Sequence, residues 1–176
     1  MARWKFEPGH TAAEFSVRHM MVTYVRGHFK NIQGRLEFDP EHPEDGSLQI
    51  SIDATKLWTD EPERDAHLRS ADFLDVEHHP TITFKSTKVE PTARTEYKVT
   101  GDLTIRGVTR RVTLDVRYLG KGRSPFGDTR VGFTAEASIN RHQFGVDWNA
   151  DMKDGGVVVG VDVLITVDAE AILEGV

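Results

Sequence analysis

Alternation of apolar and polar side chains with a period of two runs through nearly the whole chain. In "AAEFSVRHM", Ala13, Phe15, Val17 and His19 share one face, while Glu14, Ser16 and Arg18 share the other. "IQGRLEF" sets Ile32, Gly34, Leu36 and Phe38 against Gln33, Arg35 and Glu37. "LQISIDA" sets Leu48, Ile50, Ile52 and Ala54 against Gln49, Ser51 and Asp53. The pattern returns in "TITFKS", "YKVTGDLTI", "VTLDVRY", "VGFTAEASI" and "VGVDVLITVDAEAIL". Successive side chains of an extended strand point to opposite faces, so this period defines half-buried antiparallel strands with one dry face.

Turn signals separate these runs, among them Arg106-Gly107 and Asp154-Gly155-Gly156. No linker, repeat or low-complexity tract divides the 176 residues, so residues 1–176 read as one domain. Residues 130–144, if wholly extended, would span about 50 Å at ~3.3 Å per residue. A compact chain of this size has a radius of gyration of only about 16 Å. Strands that long fit if they tilt and coil around a closed barrel, with bends at residues such as Gly132 and Gly145. Closure also removes the exposed strand edges of an open sheet. The expectation is therefore an all-β fold built as a closed antiparallel barrel, with an open two-layer sandwich as the competitor. One segment breaks the pattern: "EPERDAHLRS" reads as a short helix over residues 61–70, with Pro62 in its first turn after Thr59 or Asp60 as cap.

Composition bounds the chemistry. A net charge of -6 disfavours nucleic acid as a partner, because phosphate affinity needs concentrated Lys and Arg. With no cysteine there is no disulfide, thiolate metal site or cysteine nucleophile. "MARWKFEPGH" has no apolar leader and no stretch approaches the ~18 apolar residues of a membrane span, so a cytoplasmic location is expected. Sheet proteins of this kind can also pair as homodimers.

The densest chemistry lies in residues 64–80, "RDAHLRSADFLDVEHHP". His67, Asp72, Asp75, His78 and His79 are ligand types for a divalent metal, but no known ligand spacing appears, and adjacent His78 and His79 point apart in an extended segment. Glu63 and His67 stand at i,i+4 on the helix, with Ser70 as the local hydroxyl. No nucleophile motif supports hydrolysis there. Phe73 and Leu74 are apolar anchors, so the segment is expected to pack across part of the barrel with its charges outward. His19 lies on the apolar face of its strand and is expected to point inward or toward a barrel mouth.

"FEPGHTAAEFSVRHM", "HLRSADFLDVEHHPTITF", "VTGDLTIRGVTRRVTL" and "INRHQFGVDWN" together resemble the YceI-like family of polyisoprenoid-binding proteins, in family order and nearly end to end. The resemblance implies an eight-stranded antiparallel barrel of lipocalin type, with a long interior pocket for an isoprenoid chain. Alternation supplies the expected lining: Phe15, Val17, His19, Phe84, Leu103, Ile105, Leu114, Phe133, Ile139 and Trp148, with ordinary core packing as the competing role for each hydrophobe. The expected function is noncovalent sequestration or transport of a quinone or polyprenyl phosphate, its headgroup near the mouth beside His19 and an arginine, with no cofactor, no metal and no catalysis. Two readings compete with it: a small hydrolase or isomerase using His19 or His67, and a divalent-metal protein using His67, His78 or His79.

Overall fold

The computed structural model describes residues 1–153 and 155–175. The strands are β1 (Arg3–Phe6), β2 (Ala12–His19), β3 (Thr23–Phe29), β4 (Gln33–Glu37), β5 (Ser47–Asp53), β6 (Thr81–Ala93), β7 (Glu96–Ile105), β8 (Val108–Arg123), β9 (Thr129–Asn140) and β10 (Val159–Leu173). One helix, α1 (Pro62–Arg69), interrupts them between β5 and β6.

The sheet order is β1-β4-β5-β6-β7-β8-β9-β10-β2-β3, and β1 also pairs with β10. That last pairing closes the ring. β1 and β2 are two halves of one wall position, split by the 3-10 turn at Pro8–His10, and β3 and β4 are two halves of the next. β10 meets β2 from Val159 to Asp168, then β1 from Ala171 to Leu173. Counted by wall position, the fold is a closed eight-stranded antiparallel barrel with one helix, as the family resemblance implied; closure rules out the open sandwich that alternation left open.

Several local expectations change. β9 ends at Asn140 instead of running to residue 144. The Asn140 side chain accepts from the His142 N–H at 2.9 Å and caps a 3-10 turn, Arg141–Phe144, which stops at left-handed Gly145 (φ 73°). Gly132 stays in register opposite Glu170, and the irregularity falls on the facing strand, where the β8 register shifts between Tyr118 and Gly120 and turns Leu119 outward. Glu61, not Thr59 or Asp60, caps α1, its carboxylate accepting from the Glu63 and Arg64 N–H groups at 3.2 and 2.6 Å. Thr59 is engaged elsewhere. Its N–H and hydroxyl both donate to buried Asp65, and its hydroxyl accepts from Arg64 Nε at 2.8 Å. Of the Asp154-Gly155-Gly156 turn, Gly155 and Gly156 are left-handed, and Asp154 lies outside the described residues.

We call upper the end that carries α1 and the β2–β3 and β7–β8 turns. The β7–β8 turn has two residues, Arg106 (φ 52°) and Gly107 (φ 72°), between the paired Ile105 and Val108. Positive φ at both centres matches the right-handed twist of the flanking strands. Toward the lower end, Phe38, Tyr97, Tyr118 and Phe133 interlock, with ring centroids 5.1 to 6.0 Å apart.

Candidate binding cavity

The inward faces of the strands do not fill the barrel. A cavity of about 190 Å³ occupies its upper half, and one of about 80 Å³ lies below. Ile50, Leu114 and Val167 border both and form the ring of side chains between them. The upper surface is all hydrocarbon, since Glu14, Thr83 and Arg141 border it only through carbon. Such a surface has nothing to offer a buried charge and favours an apolar guest.

Two glycines help to keep the centre open. A Cβ on Gly27 of β3 would overlap the Phe15 ring of β2, and one on Gly101 of β7 would lie 2.6 Å from Phe84 Cζ. Each aromatic ring therefore lies against the wall over a neighbouring strand's bare backbone.

Segment 64–80 closes the upper end. Phe73 is 5% exposed, and Phe73 and Leu74 both border the upper cavity, together with Leu68 of α1 and Leu57. Arg106 ties the segment down, its Nη1 donating to the Ala71 carbonyl at 2.6 Å and the Phe73 carbonyl at 2.5 Å. Arg69 Nη2 donates to the Leu57 carbonyl at 2.6 Å. His79 packs on Gly107, where a Cβ would come within 2.8 Å of its ring. The "HLRSADF", "EHHP" and "LTIRGVT" stretches are thus joined physically at one end of the barrel.

A second staple lies beside the first. Arg141, only 4% exposed, gives Nε to the Gly160 carbonyl at 2.7 Å and Nη1 to the Val146 and Trp148 carbonyls at 2.7 and 2.9 Å. Its Nη2 reaches the Val159 carbonyl at 3.3 Å. Burial pulls its pKa below the ordinary arginine value, and Asp147 partly opposes that. The guanidinium holds the start of β10 against the 145–148 loop, placing Phe144 and Val146 over the cavity.

Of the residues expected to line a pocket, Phe15, Val17, Phe84, Leu103, Ile105, Leu114 and Ile139 border the upper cavity, and Phe133 and Leu114 the lower. His19 and Trp148 border neither. His19 ends β2, opposite Thr23 and Val159, above the lined region. Trp148 packs against the closing segment, its ring 4.7 Å from His67 and 5.4 Å from Phe73. Leu57, Leu68, Phe144, Val146 and Arg141 were missed because they lie outside the alternating strands.

The histidines of the competing readings lie outside both cavities. No histidine borders either cavity among the described residues. His67 meets Asp72 at 2.8 Å instead of Glu63, and the Ser70 hydroxyl donates to the His67 carbonyl at 2.6 Å. His78 pairs with Asp75 at 3.0 Å, which raises its pKa above the ordinary histidine value and lowers that of Asp75. Side chains close enough to share a metal ion lie elsewhere among the described residues, at Glu7–His10–Glu170 and His42–Glu44–Asp45. Among the described residues no helix is long and apolar enough to cross a membrane.

A closed barrel with a hydrocarbon interior and a stapled end is an architecture that can enclose one apolar ligand. The YceI-like domain model matches residues 4–171, and the chain belongs to the YceI-like family. Protein YceI of Escherichia coli O157:H7 is 37% identical over 162 residues, covering 92% of this chain and 82% of that one. A UPF0312 protein of Pectobacterium atrosepticum is 36% identical over 165 residues, covering 92% and 85%. Among solved structures, Burkholderia cenocepacia BcnA superposes with a TM-score of 0.82 at 25% identity, over 94% of this chain and 98% of that one. A polyisoprenoid binding domain from Saccharophagus degradans, implicated in plant cell wall breakdown, shares the fold with a TM-score of 0.69 at 11% identity, over 97% and 98%.

Proposed function

We propose that this protein binds a long isoprenoid chain noncovalently inside its barrel and carries or sequesters it, without chemical change to the guest. The observation that carries this reading is the hydrocarbon-only wall of the upper cavity, continued below by a second chamber. Each methylene buried there contributes about 0.8 kcal/mol of transfer free energy, so a prenyl chain supplies a large gross driving force against the cost of association. The Saccharophagus degradans domain, described as polyisoprenoid-binding, lends support.

The guest class we favour is a quinone or a polyprenyl phosphate. Arg141 is the cation nearest the cavity, but its donors are engaged by four carbonyls, so retention rests on the tail. The headgroup then sits toward the upper end, where His19 and Arg18 lie beyond the lined region. Extraction of the purified protein followed by lipid mass spectrometry is the direct test. Recovery of prenyl lipid, or retention of an added long-chain quinone through gel filtration, is expected. A protein that is always empty and retains neither quinone nor prenyl phosphate overturns the reading.

A further inference from the structure

The β2–β3 hairpin ends in a turn unlike the others. His19 and Thr23 pair across a three-residue loop of Met20, Met21 and Val22. Both methionines are left-handed, with φ of 50° and 62°, a conformation that Gly and Asn adopt more easily. The loop is nonetheless pinned, the Met20 N–H donating to the Val158 carbonyl at 2.7 Å and the Met21 sulfur resting against Gly156. The result is a fixed apolar tip, with Val22 80% and Met21 55% exposed.

Below the tip runs a basic and aromatic band. The Arg18 and Arg26 guanidinium carbons lie 5.2 and 5.8 Å from the Tyr24 ring centre, and Lys30 Nζ lies 5.9 Å from that of Trp58. Tyr24 and Trp58 are each about half exposed. Apart from histidine, the charged residues of 12–30 are Arg18, Arg26, Lys30 and a single carboxylate, Glu14, in a chain whose net charge is -6. Glu14 faces Arg26 at 3.6 Å, which leaves Arg18 and Lys30 without a carboxylate partner among the described residues. The acidic side chains of this end include Asp60, Glu61, Glu63, Asp72 and Glu77 around α1, and Asp147 and Asp151 on the loop that packs against the tip.

The band also follows a seam in the wall. Among the described residues β3 has a strand partner only on its β2 side, and its outer edge is bridged solely by His28 and Trp58, with N···O distances of 2.8 and 3.1 Å. Phe15, Phe29 and Leu57 border the upper cavity beside that seam.

We propose that the β2–β3 tip docks the protein on a bilayer surface rich in anionic phospholipid. Met20, Met21 and Val22 enter the acyl boundary, Tyr24 and Trp58 sit at headgroup depth, and Arg18, Arg26 and Lys30 meet lipid phosphates. This builds on the isoprenoid-carrier reading, because the seam would then face the phase in which an isoprenoid dissolves. The acidic closing segment is held off the surface by its own charge.

The test is flotation of the full chain with phosphatidylcholine vesicles, with and without about one-third phosphatidylglycerol. Binding is expected only with phosphatidylglycerol and falls as salt rises. Removing one cation, Arg18→Gln or Lys30→Gln, is expected to weaken partitioning about fivefold, from ~1 kcal/mol per basic residue near such a surface. Val22→Ser weakens it further and Val22→Trp strengthens it; Val22 borders neither cavity, so both variants are expected to fold and to keep prenyl retention. Failure of the native chain to float at low salt, or flotation indifferent to Val22 and Arg18, overturns the proposal. So does a change of oligomeric state on Val22→Ser, which would assign the tip to a second copy of the chain. Quinone retention is measured separately: flotation without retention defeats the carrier reading and spares the docking surface, and retention without flotation does the reverse.

Discussion

The tip of the Phe15 ring of β2 lies over Gly27 of β3, in space that any side chain at position 27 would occupy. Phe29 stands 5.7 Å away and limits sideways escape. The hollow therefore depends on a missing side chain as much as on those present.

Gly27→Ala is expected to push Phe15 toward the barrel axis. Overpacking of this kind costs about 1–3 kcal/mol, read as a lower unfolding midpoint. Quinone retention is expected to fall roughly tenfold if space for about two methylenes is lost. Native-like retention in Gly27→Ala would show that the guest does not use the space beside Phe15.

Arg106 holds the closing segment by two charge-assisted bonds from a left-handed turn position. Arg106→Ala is expected to cost about 2 kcal/mol locally. Hydrogen exchange at Phe73, Leu74 and Asp75 is then expected to quicken roughly thirtyfold, with β8 and β9 little changed. Arg106→Asn relaxes the turn without restoring the bonds, so its loop should exchange nearly as fast. Slow exchange in that variant would mean that turn geometry, not the guanidinium, holds the segment.

The His78–Asp75 pair makes the same segment sensitive to pH. Hydrogen bonding to Asp75 raises the His78 pKa, so the folded form prefers the imidazolium. Its stabilisation is fully present below the unfolded histidine value near 6.5 and is lost as pH rises through the raised value. Protection of the segment, corrected for intrinsic exchange, should fall as pH rises above about 6.5. His78→Gln should abolish that slope, and a slope that survives would locate the titrating group elsewhere.

Tyr97 is buried, and its hydroxyl has no protein hydrogen-bond partner among the described residues. Burial accordingly raises its pKa, with Tyr118 adding to the effect. Tyr97→Phe removes an unpaired polar group without changing ring packing against Phe38, and should stabilise the fold by about 1 kcal/mol, a rise in midpoint of about 2–4 °C. A lower midpoint would reveal a partner for that hydroxyl.

The strands were legible because a half-buried wall must alternate, and Phe15, Val17, Phe84, Leu103 and Ile105 border the cavity where that period places them. Phe73 and Leu74 could be read as anchors because they are the apolar pair in a charged stretch. What alternation could not locate are side chains brought in by irregular backbone. Leu57 follows a 3-10 turn, Phe144 ends another, and Val146 is set by Arg141, whose charge made it look like surface. His19 keeps the period but lies where β2 has already passed the top of the lined space. Trp148 follows β9 at a distance, where the chain is no longer extended and a period of two has no meaning.

Ile50, Leu114 and Val167 stand between the two chambers, and on the isoprenoid-carrier reading they would gauge the length of the guest. A short tail ends above it and is held by one chamber alone; a longer one must thread it and gains the second. Selection among isoprenoids then follows the number of prenyl units, and the three aliphatic side chains at the midpoint set where the count changes.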